Sequence, residues 1–284
     1  MKRIDLHVHT NASDGTFDPA GAVRLAHAEG LSAIAVTDHD TVTGYFEAAA
    51  EGEKLDVEIV PGIEISTKYD RAVHILGYYI DPKSPSLEPV LNWIVHDRDE
   101  RNRKMAELMA ADGLPVSYEM MHQKYGEVIG RPHFAALLVE LGLAESVQDA
   151  FDRFVEKGQK YYQPRTILPL DRAVQIIVEA GGIPVLAHPF QYRMDDALLR
   201  ELIEYCMGFG LAGMECRYTG YDEDMVAYLE ALAAEYGLVR TGGSDFHGTN
   251  KPHIALGRGL GKLNVPYEHL SELKMKKSPK TSSD

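Results

Sequence analysis

The segment Ile4-Asp5-Leu6-His7-Val8-His9 alternates apolar and polar side chains near the start of the chain. Consecutive side chains of a β-strand point to opposite faces, so Asp5, His7 and His9 share one face. Two imidazoles that are two residues apart on such a face can bind the same ion. The segment therefore predicts a strand that presents metal-binding side chains.

Six more apolar runs of strand length follow, and helical patterns separate most of them. The predicted strands cover residues 4–9, 31–37, 57–66, 72–80, 183–188, 211–216 and 238–242. The first helix has Asp18 as N-cap, Pro19 in its first position and Gly30 after its end. Similar helices begin at about Thr41, Pro169, Asp195, Asp222 and Pro266. This alternation is typical of an α/β protein with a parallel sheet, and seven units favour a closed, irregular (β/α) barrel. An open doubly wound sheet is the alternative.

The alternation stops between Asp81 and Tyr162, where the sequence has no convincing strand. Helical patterns occur there at residues 87–111, 133–141 and 147–155. We therefore predict a catalytic barrel formed by residues 1–80 and 163–284, with a helical insertion at 81–162 that covers one mouth of the barrel. The polar residues 276–284 are predicted to be disordered.

The composition excludes several classes of protein. The chain has 284 residues, 29 basic and 43 acidic, for a formal charge of −14, which opposes binding to duplex nucleic acid. Bound divalent ions would reverse the charge locally, so a small anionic substrate stays possible. No apolar stretch has signal or membrane-spanning length, which predicts a cytoplasmic protein with no membrane partner. The cysteines, Cys206 and Cys216, are predicted to be free and buried, and the oligomeric state stays open.

Acidic residues and histidines follow the predicted strands where these strands end. They are Asp38, His39, Glu64, His188, Asp245 and His247. In a barrel these strand ends converge on one rim, where active sites are built. Imidazole and carboxylate suit Mn²⁺, Fe²⁺ or Zn²⁺, and no thiolate accompanies them. The pattern predicts one metal cluster and a hydrolase. From the local sequence alone, His74 could equally be a histidine buried in the core, and Asp14 could be a turn residue.

Five motifs in this order resemble the polymerase and histidinol phosphatase (PHP) family of phosphoesterases, along nearly the whole chain. They are Asp5-Leu6-His7-Val8-His9-Thr10 with Ser13-Asp14-Gly15, Thr37-Asp38-His39-Asp40, Gly62-Ile63-Glu64, Ala187-His188-Pro189 and Gly243-Ser244-Asp245-Phe246-His247. The sequence is similar to the subgroup whose inserted helical domain carries Gly130-Arg131-Pro132-His133-Phe134. Members of that subgroup are metal-dependent phosphoesterases that act on ribose phosphates.

The resemblance implies a distorted (β/α)7 TIM-like barrel with three divalent ions, Mn²⁺ being favoured over Fe²⁺ or Zn²⁺. The first ion would be held by His7, His9, Glu64 and Asp245, the second by Glu64, His74 and His188, and the third by Asp14, His39 and His247. Glu64 would then bridge two ions, and a bridging water would lose its proton to attack phosphorus. Asp38 and Asp40 would orient His39 or neighbouring backbone.

Two residues of the insertion are candidates for catalysis. The planar guanidinium of Arg131 matches two phosphate oxygens, although a salt bridge within the insertion is the alternative. His133 would hydrogen-bond the phosphate or protonate the leaving oxygen. Six further side chains are candidates for contact with substrate, and the sequence leaves their role open. They are Arg165, Arg193, Arg217, Tyr218, Lys251 and His253.

The resemblance leaves two kinds of ribose-phosphate substrate. One is a 3′,5′-nucleotide bisphosphate or a short RNA 5′ end, and the other is a phosphoribosyl 1,2-cyclic phosphate. Members of the bisphosphatase type commonly have Gly-Arg after the histidine-proline of the fourth motif, whereas Phe190-Gln191 stands here. Loss of that cation would weaken binding of a second phosphate and favours the cyclic substrate, unless Arg193 supplies the charge.

Two other functional classes are alternatives. An amidohydrolase that cleaves C–N bonds also uses His-X-His on a barrel strand, but Asp14, Glu64 and the Asp245-X-His247 pair match phosphoesterases better. A non-catalytic metal-binding module would need a coordinatively closed site, whereas nine ligands shared among three ions leave positions open.

Overall fold

All seven predicted strands form in the computed structural model, which describes residues 2–126 and 128–277. Two strands of two residues each complete the sheet. The strands are β1 (Arg3–Val8), β2 (Leu31–Val36), β3 (Glu58–Lys68), β4 (Ala72–Tyr78), β5 (Leu168–Pro169), β6 (Ile183–Leu186), β7 (Gly213–Tyr218), β8 (Val239–Gly243) and β9 (Val265–Pro266).

The helices begin close to where the capping residues predict. They are α1 (Pro19–Ala28), α2 (Gly44–Leu55), α3 (Leu87–Ala111), α4 (Tyr118–Tyr125), α5 (Arg131–Glu140), α6 (Val147–Ala150), α7 (Leu170–Glu179), α8 (Asp196–Met207), α9 (Glu223–Tyr236) and α10 (Tyr267–Lys277). A π-helical turn (Phe151–Val155) follows α6, and two 3₁₀ turns lie at Pro189–Tyr192 and Gly248–Asn250. Asp18 caps α1 by accepting a hydrogen bond from the Gly21 N–H.

The strands form one sheet in the order β8-β7-β6-β4-β3-β2-β1-β9, with β5 beside β3. The sheet curls so that the end of β1 meets the segment after β8. There the His9 N–H donates to the Phe246 carbonyl at 3.0 Å, and the Asp245 N–H donates to the His7 carbonyl at 2.9 Å. A Cβ on Gly243 would lie only 2.3 Å from the His7 Cβ, so glycine permits this close approach. The predicted barrel is confirmed.

Two strands run against the predicted parallel direction. Strand β4 is antiparallel to both neighbours, β3 and β6, and the short β9 is antiparallel to β1. The prediction of a parallel sheet is wrong at these strands. A tight turn joins β3 to β4, in which the Tyr69 N–H donates to the Arg71 carbonyl, and such a short connection permits only antiparallel pairing. The reversal places the first residues of β4 beside the carboxyl ends of the parallel strands.

The helices of the middle of the chain have an apolar cluster of their own. Its buried members all lie between Met105 and Tyr161, with Phe134 and Leu138 fully buried. No strand occurs in the described residues of 81–162. Helix α3 spans the two regions, because Leu87 and Ile94 at its beginning belong to the barrel core. Helix α3 therefore connects the apolar cluster of the helical segment to the barrel core.

The last helix corrects the prediction for the end of the chain. Lys276 and Lys277 belong to α10, so the predicted disorder is wrong for these two residues. Leu270 and Leu273 bury the helix against the barrel core, and the Lys277 ammonium donates to the Tyr79 carbonyl. Residues 278–284 lie outside the described part of the chain.

Two sequence predictions concern the environment of the whole chain. Cys206 and Cys216 are both free and buried, as predicted. Within residues 2–126 and 128–277, none of the helices combines the length and the apolar character needed to cross a membrane.

Candidate metal centre

Glu64 lies at the centre of the rim, with a side chain that is 1% exposed. Its Oε1 is 2.9 Å from Nδ1 of His74 and 3.0 Å from Nε2 of His188. Its Oε2 lies 3.2–3.3 Å from nitrogens of three other imidazoles, those of His7, His9 and His39. Burial alone would raise the pKa of Glu64, but the surrounding histidines hold this pKa well below its usual range. The carboxylate therefore stays ionised with each oxygen turned to a different set of imidazoles.

The structure brings all nine predicted metal ligands together, and we call these nine residues the Glu64 cluster. Three groups within it have donor atoms that all lie within 4.8 Å of one another: His7, His9, Glu64 and Asp245; His9, Asp14, His39 and His247; His39, Glu64 and His74. The first group equals the predicted first set, and the second is the predicted third set with His9 added. In the remaining group His39 accompanies Glu64 and His74, while His188 joins through its contact with Glu64.

The donor atoms of the Glu64 cluster fit divalent transition ions. Nε2 of His7 lies only 3.1 Å from Nε2 of His9, and Oδ1 of Asp245 faces both nitrogens at 3.6 and 3.3 Å. The buried Nδ1 atoms of His9 and His39 have no hydrogen-bond partner. Buried polar atoms normally have a partner, and imidazole with carboxylate is a donor set for such ions. A bound cation would satisfy these atoms.

Glu215 supports the Glu64 cluster, and the sequence analysis did not single it out. This residue of β7 is fully buried, its Oε1 lies 3.0 Å from Nδ1 of His7, and its Oε2 accepts the His188 N–H at 2.7 Å. A carboxylate that holds the outer nitrogen of a ligand histidine fixes the tautomer and turns the other nitrogen to the metal. An acid inside an otherwise apolar strand was the signal in the sequence.

Asp245 is held by two of the residues whose role the sequence left open. Its Oδ2 accepts from the Tyr218 hydroxyl at 2.7 Å and from the Lys251 ammonium at 2.6 Å. Burial would raise the pKa of Asp245, but Lys251 and the neighbouring histidines keep it well below its usual range. Asp245 and His188 both have positive φ angles, 57° and 25°, a strained conformation of the kind found at functional sites. Oδ1 is thereby left to face the histidines.

Asp38 and Asp40 hold backbone and side chains around the rim. Asp38 accepts from the Thr10 N–H and from the Ser13 hydroxyl, each at 2.7 Å, and so fixes the loop that carries Asp14. Asp40 accepts from the Ser66 N–H at 3.0 Å. These contacts agree with the expected orienting role toward backbone, whereas neither carboxylate hydrogen-bonds His39.

His133 approaches the rim from the helical segment. Its buried Nδ1 accepts the Gly130 N–H at 3.0 Å, so a neutral ring carries its proton on Nε2. Burial lowers the pKa of His133 to about 4. The charges of Asp14 and His247 also act on this ring. His133 is therefore a neutral hydrogen-bond donor close to the Glu64 cluster.

Arg131 makes the contact that the sequence analysis gave as the alternative to a phosphate clamp. Its guanidinium donates to Glu156 at 3.1 Å and lies over the rings of Phe151 and Tyr162. One third of the side chain is exposed. The structure thus places Arg131 in an ion pair within the helical segment.

The other arginines and His253 lie in different surroundings. Arg165 lies 3.7 Å from Asp40, beside Arg98, which the sequence analysis missed. Arg217 pairs with Glu230. The exposed residues are Arg193 and His253.

Comparisons with known proteins agree with this geometry. Residues 5–166 match the PHP domain. A 3′,5′-nucleoside bisphosphate phosphatase from Chromobacterium violaceum is 34% identical over 250 residues, which cover 87% of this chain and 88% of that protein. A 5′-3′ exoribonuclease from Haemophilus influenzae is 32% identical over 247 residues, covering 87% and 90%. A phosphoribosyl 1,2-cyclic phosphate 1,2-diphosphodiesterase from Eggerthella lenta is 32% identical over 259 residues, covering 88% and 97%.

A solved structure shares the whole fold. It comes from Bifidobacterium adolescentis, carries the description of a metal-dependent phosphoesterase, and superposes with a TM-score of 0.85 at 30% identity. The match covers 100% of this chain and 99% of that one.

Proposed function

The chain belongs to the PHP family of metal-dependent phosphoesterases, and on that premise we propose that it hydrolyses a phosphate ester of a small phosphorylated ribose at the Glu64 cluster. One observation carries the proposal. The two oxygens of Glu64 face different sets of imidazoles, which is the arrangement of a carboxylate shared between two ions. We propose three divalent ions, with Mn²⁺ favoured, held by the nine residues of the cluster.

Divalent ions held there would acidify a water and neutralise the phosphoryl oxygens. The chain's own residues arrange the donors for them. Glu215 fixes His7 through its outer nitrogen, while Tyr218 and Lys251 hold one oxygen of Asp245. Because these supporting groups are already in place, the donors need little rearrangement when ions bind.

Two residues of the helical segment would complete the site. His133 would donate its Nε2 proton to a phosphoryl or leaving oxygen, since Nδ1 is engaged by the Gly130 N–H. Arg131 would contact phosphate by exchanging the carboxylate of Glu156 for the substrate. Partly exposed ion pairs contribute little, roughly 0–1 kcal/mol, so this exchange has a small cost.

The substrate is proposed in two forms. Phe190 packs against the rings of Tyr221 and Tyr228, which places an aromatic side chain where a bisphosphatase commonly has a small residue followed by a cation. This favours the phosphoribosyl 1,2-cyclic phosphate as first candidate, and the Eggerthella lenta relative bears that name. A 3′,5′-nucleoside bisphosphate is the second candidate, supported by the Chromobacterium violaceum relative at similar identity.

Phosphate release from purified protein tests the proposal. The Mn²⁺-loaded enzyme is assayed with the cyclic phosphate, with the bisphosphate and with a panel of amides. We expect release of phosphate from at least one ribose ester and no amide cleavage. A Glu53→Gln variant, altered at an exposed acid, should keep this activity, whereas Glu64→Gln should lose it. Cleavage of amides without phosphate release would overturn the proposal in favour of an amidohydrolase.

A further inference from the structure

Tyr192 contacts two of the three residues that are assigned to one ion. We call the ion assigned to Glu64, His74 and His188 the second ion. Tyr192 ends the 3₁₀ turn that follows β6, and it is 6% exposed. Its ring meets that of His188 edge to face, with the ring centroids 5.6 Å apart. Its hydroxyl accepts the His74 N–H at 3.1 Å. One buried side chain thus connects two ligands that come from different strands.

The Tyr192 hydroxyl lies where the pairing of β4 with β6 ends. The antiparallel register of these strands stops at Ile75. At the next position the Ala187 N–H donates to the His74 carbonyl at 3.2 Å. The hydroxyl accepts the His74 N–H and donates to the Ala187 carbonyl at 2.6 Å. It therefore takes the place of a strand partner on both sides, and it fixes His74 relative to the residue that precedes His188.

His188 lacks the support that Glu215 gives to the ring of His7. Among the residues that the structure describes, the buried Nδ1 of His188 has no hydrogen-bond partner, whereas Nδ1 of His7 faces Glu215. A ligand histidine is normally oriented by a partner on its outer nitrogen. Glu215 accepts only the backbone N–H of His188, at 2.7 Å. The orientation of the His188 ring therefore depends on its backbone and on the rings of Tyr192 and Tyr218 that pack against it.

The contacts of Tyr192 are confined to one of the three proposed ions. In residues 2–126 and 128–277, its hydroxyl bonds only to the backbone of His74 and Ala187. His74 depends on this bond, because 27% of its side chain is exposed and packing alone does not fix it. Loss of the hydroxyl would therefore loosen two of the three ligands of the second ion and leave the ligands of the other ions in place.

We propose that Tyr192 is a positioning residue, which fixes His74 and His188 and thereby sets the affinity for the second ion separately from that for the other two. This inference rests on the proposed function, which supplies the three ions. Tyr192 acts through the backbone of the two ligands and does not bind the ion itself. The affinity for one ion is then tuned from a side chain outside the Glu64 cluster.

Binding of Mn²⁺ to the metal-free protein tests this role. Equilibrium dialysis with elemental analysis gives the number of bound ions and their affinities. Tyr192→Phe keeps the ring and removes the hydroxyl. It should weaken binding of one ion by about tenfold to a hundredfold, as is usual for residues that orient ligands, and leave the other two within about twofold. Activity that is lost at limiting Mn²⁺ should return when Mn²⁺ is in excess.

Tyr161→Phe is the matched control. Tyr161 is 7% exposed, and its hydroxyl donates to Asp112 in the helical segment. Both variants should unfold at a lower temperature without metal, because each loses a hydrogen bond. Only Tyr192→Phe should also weaken the binding of an ion. Wild-type affinity for all three ions in Tyr192→Phe, or equal weakening of all three, would overturn the role.

A second variant identifies the affected ion. His188→Ala removes a ligand of the second ion and should weaken the same binding step. In that background Tyr192→Phe should add little, because both changes act on one ion. Fully additive losses would contradict the proposal. In the wild type itself, binding of the second ion should slow hydrogen exchange of the His74 N–H, since coupling between two sites is reciprocal. An unchanged exchange rate would overturn the role without reference to any variant.

Failure of the proposed function gives a different result. A wild type that binds the ions but hydrolyses no phosphate ester would contradict that function, and the affinities would still decide the role of Tyr192. A wild type that binds no divalent ion would overturn both.

Discussion

The Glu64 cluster differs from a group of buried arginines in the sign of its unbalanced charge. The arginines are Arg98, Arg101 and Arg165. Around Glu64, buried carboxylates and imidazoles present donor atoms, some of which have no partner. Around Arg101, buried guanidiniums outnumber the carboxylates that face them. Each arrangement is costly by itself, since a buried charge needs compensation. The comparison teaches that the two regions differ in the sign of the charge that is left unbalanced, which is carried by carboxylates around Glu64 and by guanidiniums around Arg101.

The largest effect in this comparison is expected when the carboxylate of Glu64 is removed. Glu64→Gln keeps the size of the side chain but removes the charge that faces five imidazoles. We expect loss of more than one equivalent of bound metal and a fall in kcat of more than about a thousandfold, because several kcal/mol of charge stabilisation depend on the ions. Elemental analysis and phosphate release measure the two effects, with Glu53→Gln as control. Full metal occupancy in Glu64→Gln would show that Glu64 bridges nothing.

A smaller effect is expected at Glu215, which contacts the outer nitrogen of the ligand His7. Glu215→Gln can turn an amide N–H toward Nδ1 of His7, which would move the ring proton to the nitrogen that faces the Glu64 cluster. Metal affinity should fall by about tenfold to a hundredfold, as measured by titration with Mn²⁺. Glu230→Gln, on the outer helix α9, is the matched control. Unchanged affinity in Glu215→Gln would mean that His7 is held without its help.

In the helical segment, the next prediction tests whether Arg131 contacts the substrate. If Arg131 leaves Glu156 to contact phosphate, Arg131→Ala should lower kcat/KM by about tenfold or somewhat more, with metal content unchanged. Glu156→Gln breaks the same ion pair but keeps the cation, and should preserve activity. Wild-type efficiency in Arg131→Ala on every ester tested would leave Arg131 with a structural role only.

The smallest expected effect is on stability in acid. Burial lowers the pKa of His133 from 6.5 to about 4. Between these values the unfolded chain binds a proton that the folded protein does not, so stability falls as the pH falls. His133→Gln keeps an acceptor for the Gly130 N–H and should lose less stability between about pH 7 and pH 5. Thermal unfolding at several pH values measures this, and His122→Gln, at an exposed histidine, is the control. If the wild type, His133→Gln and His122→Gln lost stability equally as the pH falls, the lowered pKa of folded His133 would be contradicted.

Most residues of the Glu64 cluster could be predicted because they lie in or just after a strand that is evident locally, whereas Asp14 and His74 were implied only by the resemblance to the PHP family. A barrel gathers strand ends on one rim, so the sequence determines the neighbourhood without any knowledge of side-chain packing. The direction of β4 was also within reach, since the few residues between the strands at 57–66 and 72–80 are too short for a parallel crossover. That constraint, rather than the alternation of elements, decides how this strand pairs.

The burial of the three arginines and the role of Glu215 could not be predicted in the same way. Arg98 and Arg101 stand in a helix with many charged residues, where arginine normally faces solvent. Their burial depends on how α3 lies against the barrel and on the return of the chain at Arg165. Glu215 needs a partner from β1, over two hundred positions away. Such pairings arise from tertiary structure and leave only a weak local signal.

The end of β1 meets the segment after β8 and so closes the barrel, and we call this contact the seam. Its long sequence separation affects how the protein folds. The Ser244 N–H donates to Asp5 across this seam, between residues 239 positions apart. Closing so long a loop has a large entropic cost, so the seam is expected to form late in folding. Ligands lie on both sides of this seam, His7 and His9 on one side and Asp245 and His247 on the other. Ions bound by both pairs would cross-link the two sides. Unfolding should therefore begin by opening at this seam, and metal should slow that opening in proportion to its occupancy.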